Sequence, residues 1–74
     1  MTLDELPHRS RAVVVRIDGA GPGRSRVMDL GLLPGAEVTA HLPSPLGDPT
    51  AYLVRGCLIA LRRDQARLIQ VRAT

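Results

Sequence analysis

His8, His41 and Cys57 are the only imidazole and thiol ligands in these 74 residues, and the only candidates for a thiol–imidazole pair. Metal sites recur at short fixed spacings, because two ligands must leave one turn of chain toward the same ion. Neither C-x-x-C nor H-x-x-x-H occurs here, and the seven acidic residues are dispersed, so no metal cage and no paired-carboxylate acid–base site is expected. A second candidate is Gly19-Ala20-Gly21-Pro22-Gly23-Arg24-Ser25, which has the glycine content of a phosphate-cradling loop. Arg24 replaces the third glycine of G-x-G-x-x-G, and the Walker spacing is one residue short with arginine in place of lysine. A bend that needs glycine is the simpler reading. The third candidate is charge. Ten basic residues, all arginine, oppose seven acids for a net +3, and the excess lies in residues 41–74, where Arg55, Arg62, Arg63, Arg67 and Arg72 face only Asp48 and Asp64. Single-strand nucleic-acid binders stack bases on aromatic side chains, and Tyr52 is the only aromatic here, so nucleic-acid binding is not the expected role. No catalytic, cofactor or metal residues are assigned.

The elements that would position these side chains are short. Thr2-Leu3-Asp4-Glu5 has capping-box spacing and Pro7 stops propagation, which predicts one helical turn offering Leu3 and Leu6 to a core. Arg11 to Ile17 is a β-branched run ended by Asp18-Gly19, a strand with Val13, Val15 and Ile17 expected on one face. Arg24 to Leu30 reads as a helix closed by Gly31, with Leu32 folding back on Val27, and Leu30 and Leu32 anchoring the helix. Leu33-Pro34-Gly35-Ala36 is a type II turn. The alternation that follows predicts Val38, Ala40 and Leu42 inward, with Glu37, Thr39 and His41 outward. Pro43 to Pro49 reads as an irregular loop. Thr50–Val54 and Cys57–Leu61 form two strands joined at Arg55-Gly56, with Tyr52, Val54, Cys57, Ile59 and Leu61 inward. A helical turn over 62–66 and a last strand at Leu68–Val71, with Ile69 and Val71 inward, complete the chain.

Five short strands with short helices predict an all-β fold, a small closed or nearly closed barrel, as a single domain over residues 1–74. With no Phe or Trp, its core must be aliphatic. A chain this short is far too small for a Rossmann domain or a (β/α)8 barrel, and no apolar run approaches a membrane span. One cysteine and an N-terminus without a signal-peptide pattern predict a cytoplasmic protein that meets a membrane only through a partner. On the predicted register Leu53 and Leu58 point outward from neighbouring strands beside Arg55. Leu53, Arg55 and Leu58 are therefore the candidate partner-binding residues, an apolar pair rimmed by charge. The same face could pair with a second copy.

The run Arg26-Val27-Met28-Asp29-Leu30-Gly31-Leu32-Leu33-Pro34-Gly35 carries an L-G-L-x-P-G turn. Pro45-Leu46-Gly47-Asp48-Pro49 follows, then Leu58-Ile59-Ala60-Leu61-Arg62 with Ala66 and Ile69-Gln70-Val71. Together these resemble the FeoA family of small ferrous-iron transport accessory proteins, from about Leu3 to Val71. The resemblance implies an SH3-like barrel and a cytosolic, non-enzymatic role beside the FeoB-type ferrous iron permease. Related modules end iron-dependent repressors of the DtxR type, but 74 residues leave no room for a DNA-binding domain. The expected function is to bind and modulate the cytosolic part of the permease, with no cofactor. A metal-sensing SH3-like module that binds Fe(II) or another divalent metal directly, or a nucleic-acid-binding small barrel, are the alternatives. An aromatic-lined groove for proline-rich peptides cannot be built from Tyr52 alone.

Overall fold

Main-chain geometry at a few positions organises the rest. The computed structural model describes residues 1–43 and 47–74. After a 3-10 turn at Leu3–Glu5 come β1 (Arg11–Ile17), α1 (Pro22–Asp29), β2 (Glu37–Pro43), β3 (Thr50–Val54), β4 (Cys57–Leu61), α2 (Arg63–Ala66) and β5 (Ile69–Ala73). All five strands join one antiparallel sheet in the order β4-β3-β2-β1-β5. This is the expected all-β, five-stranded architecture. The two outer strands, β4 and β5, are bridged by α2 rather than paired with each other. Among the described residues, no helix is long and apolar enough to cross a membrane.

Local sequence explains most boundaries. At the first turn the Thr2 N–H donates to Glu5 Oε1 at 2.9 Å, and the Glu5 N–H donates to the Thr2 carbonyl at 3.0 Å. Pro22 occupies the first position of α1, where its missing N–H costs nothing, so the helix begins two residues before Arg24. Its C-terminus is a Schellman motif. The Leu32 N–H reaches the Val27 carbonyl at 3.2 Å and the Gly31 N–H reaches the Met28 carbonyl at 3.0 Å, with Gly31 at φ +98°. The following residues close the predicted type II turn, in which the Ala36 N–H donates to the Leu33 carbonyl at 2.9 Å.

One aliphatic core draws on every strand. It also takes Leu3 and Leu6 from the N-terminal turn, Val27 and Leu32 from α1 and its cap, and Ala66 from α2. Tyr52, the only aromatic, is buried within it. Two strands depart from simple alternation. In β1 the buried residues are Ala12, Val14 and Ile17, whereas Val15 is 50% exposed and Val13 is half-buried. The ladder to β5 shifts between Val14 and Arg16, so Val15 is the extra residue of a bulge that reverses the inward face. In β2, Val38 and Ala40 point inward as expected, but a second shift between Ala40 and Pro43 leaves Leu42 exposed. Leu30, expected to anchor α1, stays 37% exposed, whereas Leu32 is fully buried. Of the predicted loop from Pro43 to Pro49, Pro43 belongs to β2, and Ser44 to Leu46 lie outside the described residues.

Candidate docking surface

The β3–β4 hairpin turns on Arg55 at φ +52° and Gly56 at φ +81°, the paired positive φ values of a tight two-residue turn whose twist matches its strands. Five consecutive pairs follow, from Val54–Cys57 to Thr50–Leu61, and Leu53 stands directly opposite Leu58. Tyr52 and Val54 face the core, which sends Leu53 and Leu58 to the opposite face, 37% and 58% exposed. The predicted apolar pair therefore exists as a cross-strand contact on the outer face. Arg55 caps one end of it, exposed in the turn. A methyl group added to Gly31 would stand 3.9 Å from Arg55 Cδ and 3.7 Å from Val54 Cγ1, so the end of α1 lies under this hairpin. Across the sheet Leu53 pairs with Thr39, and Thr39 with Arg11, whose guanidinium lies 3.8 Å from Glu37. The outer face thus carries the Leu53–Leu58 pair on β3 and β4 and the Arg11–Glu37 ion pair on β1 and β2.

Cys57 corrects the sequence reading. It was expected inward and is exposed. Burial along β4 fades from Leu61, fully enclosed, through half-buried Ile59 to Cys57, because an edge strand next to its hairpin projects past the core. His8 and His41 are also exposed. Among the described residues, no three His, Cys, Asp or Glu side chains come together in a way that could hold a metal ion.

Two further polar constellations were not singled out from sequence. A cleft of about 310 Å³ is lined by Asp4, His8, Gly47, Asp48, Thr50, Tyr52, Leu61 and Arg63. Asp48 Oδ1 accepts the Arg63 main-chain N–H at 2.9 Å and so holds the start of α2. Burial raises the Tyr52 phenol above its ordinary value; a Thr50 hydrogen bond opposes this, and the nearby Asp4 and Asp48 carboxylates reinforce it. The phenol there remains neutral. Separately, Asp18 accepts from Arg16 Nε at 2.7 Å and from Gln70 Nε2 at 3.0 Å, which together hold its carboxyl below the ordinary range. The glycine-rich segment beside it is a packing device. A Cβ on Gly19 would stand 3.2 Å from Leu68 Cδ2, and Arg24 Nε donates back to the Ile17 carbonyl at 3.3 Å.

Comparison with known proteins agrees with this architecture. The FeoA domain family matches residues 1–73. A fusion of Fe(2+) transport protein A with the Fe(2+) transporter FeoB, from Porphyromonas gingivalis (strain ATCC BAA-308 / W83), is 37% identical over 71 residues. These are 96% of this chain and 8% of that protein. The solution structure of FeoA from Chlorobium tepidum superposes with a TM-score of 0.90 at 38% identity, covering 99% of this chain and 70% of that one. The crystal structure of zinc-complexed Stenotrophomonas maltophilia FeoA, described as a procaryotic SH3 domain protein, has a TM-score of 0.87 at 32% identity. It covers 97% of this chain and 89% of that one. With its SH3-like sheet, its glycine-closed helix and its match from the first residue to Ala73, the chain belongs to the FeoA family.

Proposed function

We propose that this chain is a non-enzymatic, cytosolic accessory of ferrous-iron transport that binds the cytosolic part of an FeoB-type permease. The observation that carries the reading is the fused relative, in which an FeoA segment and an FeoB transporter share one polypeptide. A covalent link of that kind keeps two modules at high effective concentration, which favours partners that must meet repeatedly. The docking face is the outer surface of β3 and β4. Leu53 and Leu58 are its apolar anchors and Arg55 its charged rim, in the pattern by which a few central side chains carry most of an interface's energy. Contact with the membrane is indirect, through the permease.

The test is a calorimetric titration of the chain with the isolated cytosolic domain of the permease, in the apo and nucleotide-bound states. Saturable binding supports the reading. Heats indistinguishable from dilution up to about 1 mM, equivalent to less than about 4 kcal/mol of binding energy, would refute it.

A further inference from the structure

The two outer strands of the sheet end differently. On β5 the free side is covered by the N-terminal segment: the Val71 N–H donates to the Met1 carbonyl at 2.8 Å, and Thr2 bridges Gln70. On β4, among the described residues, no strand pairs with the side away from β3. The hairpin geometry says which groups that side presents. A two-residue turn makes Val54 and Cys57 the hydrogen-bonded pair closing the loop, and the ladder then alternates. Cys57, Ile59 and Leu61 consequently direct their main-chain groups toward β3. Leu58 and Ala60 direct theirs outward, and neither makes a main-chain hydrogen bond outside the ladder among the described residues. Natural edge strands are commonly blunted by a charge, a proline or a bulge. Cys57-Leu58-Ile59-Ala60-Leu61 has none of these and pairs with β3 without a register shift.

Charge indicates what fits there. Arg55 precedes the open edge, and Arg62 and Arg63 follow it. All three are exposed, and none forms an ion pair among the described residues. A second copy pairing antiparallel about Ile59 would bring Arg55 of each chain toward Arg62 and Arg63 of the other, an unfavourable meeting of like charges. A foreign strand with carboxylates at its ends would meet the same arginines favourably. We propose that β4 is a strand-addition site: an extended, uncharged segment of the permease's cytosolic part, flanked by Asp or Glu, adds to the sheet through the main chain of Leu58 and Ala60. The Leu58 side chain then contributes on the outer face. This rests on the partner reading given above and adds the mode of docking.

Amide hydrogen exchange on the whole chain, followed by NMR alone and with the permease's cytosolic domain, tests it. In the free protein Leu58 and Ala60 should exchange faster than Cys57 and Ile59; on binding they should slow by about tenfold or more. Ala60→Pro removes an outward N–H while leaving the β3 ladder intact, and should weaken binding about five- to tenfold. Should that variant fail to fold, as read from lost protection at Tyr52 and Val54, Ala60→Lys places a charge on the edge outside the Leu53–Leu58 pair and should weaken binding as well. Binding that leaves Leu58 and Ala60 exchange unchanged, with Ala60→Pro harmless, overturns strand addition and leaves the partner intact. Absence of any binding overturns the partner, and this mode with it. A free chain that sediments as a dimer with Leu58 and Ala60 already protected shows a second copy on the edge, and overturns the proposal.

Discussion

Replacing both Leu53 and Leu58 by alanine should weaken binding to the permease's cytosolic domain by about ten- to a hundredfold, while leaving the fold intact. The magnitude follows from exposure. Burying a leucine fully from water is worth about 1.5–3 kcal/mol. Leu58 retains 58% of its exposure and Leu53 37%, so the surface still available for a partner amounts to nearly one whole leucine. Covering it is worth about 1.4–2.9 kcal/mol, and each ~1.4 kcal/mol is a decade in Kd. By the same arithmetic the cost to folding should be about 1.5–3 kcal/mol, because the parts of the two side chains already covered within the chain also amount to about one leucine. Calorimetric titration of wild type, both single variants and the double variant gives the affinities, and urea melts give the stabilities. The two residues stand directly opposite each other across the hairpin, so the single effects should not add. A double variant that binds within about twofold of wild type would refute the assignment of this face, since no arrangement burying both leucines could lose so little.

Three other outcomes follow from the geometry. Gly31→Ala should destabilise the chain by about 1–2 kcal/mol and lower its Tm by about 5–15 °C in a thermal melt. The cause is φ +98°, since the added methyl meets only ordinary contacts with Val54 and Arg55; a melt unchanged within error would show that the Schellman cap is not needed. Asp18 has a carboxyl held below its ordinary value of 3.8 by hydrogen bonds from Arg16 and Gln70. Its stabilisation is therefore complete above that value and lost as pH falls through the lower folded value. Asp18→Asn should be less stable than wild type in urea melts at about pH 6, and the gap should narrow in acid; a gap that widens would contradict the sign. Cys57, exposed at the hairpin, should react stoichiometrically with a thiol reagent in the native protein. Reaction only after denaturation would place it inside, as alternation along β4 alone predicts.

Local chemistry made much of the fold readable. The capping box at Thr2 and Glu5, the Gly31 stop, the Pro34-Gly35 turn and the Arg55-Gly56 turn each depend on residues close together in the chain, and each is present. The outward placement of Leu53 and Leu58 was legible for the same reason: the tight turn sets the register of β3 against β4, and no bulge intervenes. The start of α1 was read two residues late, because Pro22 and Gly23 look like breakers until proline is recognised at a helix's first position. The cleft at Tyr52 carried no sequence signal. Its lining comes from the N-terminal segment, from the residues before β3, from β3 and β4 and from α2, which only folding brings together.

Covalent neighbours were enough to specify turns, caps, strand count and an aliphatic core, because these depend on backbone preferences and on the period of apolar residues. Strand phase was decided by the assembled sheet. Val13-Val14-Val15 is apolar on both faces, so its own pattern cannot say where the extra residue goes; pairing with β5 puts it at Val15. In β2 the shift beside Pro43 turns Leu42 outward in the same way. Which outer strand stays open is likewise a tertiary matter. Met1 and Thr2 reach β5 across nearly the full length of the chain, while β4 keeps the outward main-chain groups of Leu58 and Ala60. Hydrogen bonds between distant segments set these features, and no local preference encodes them.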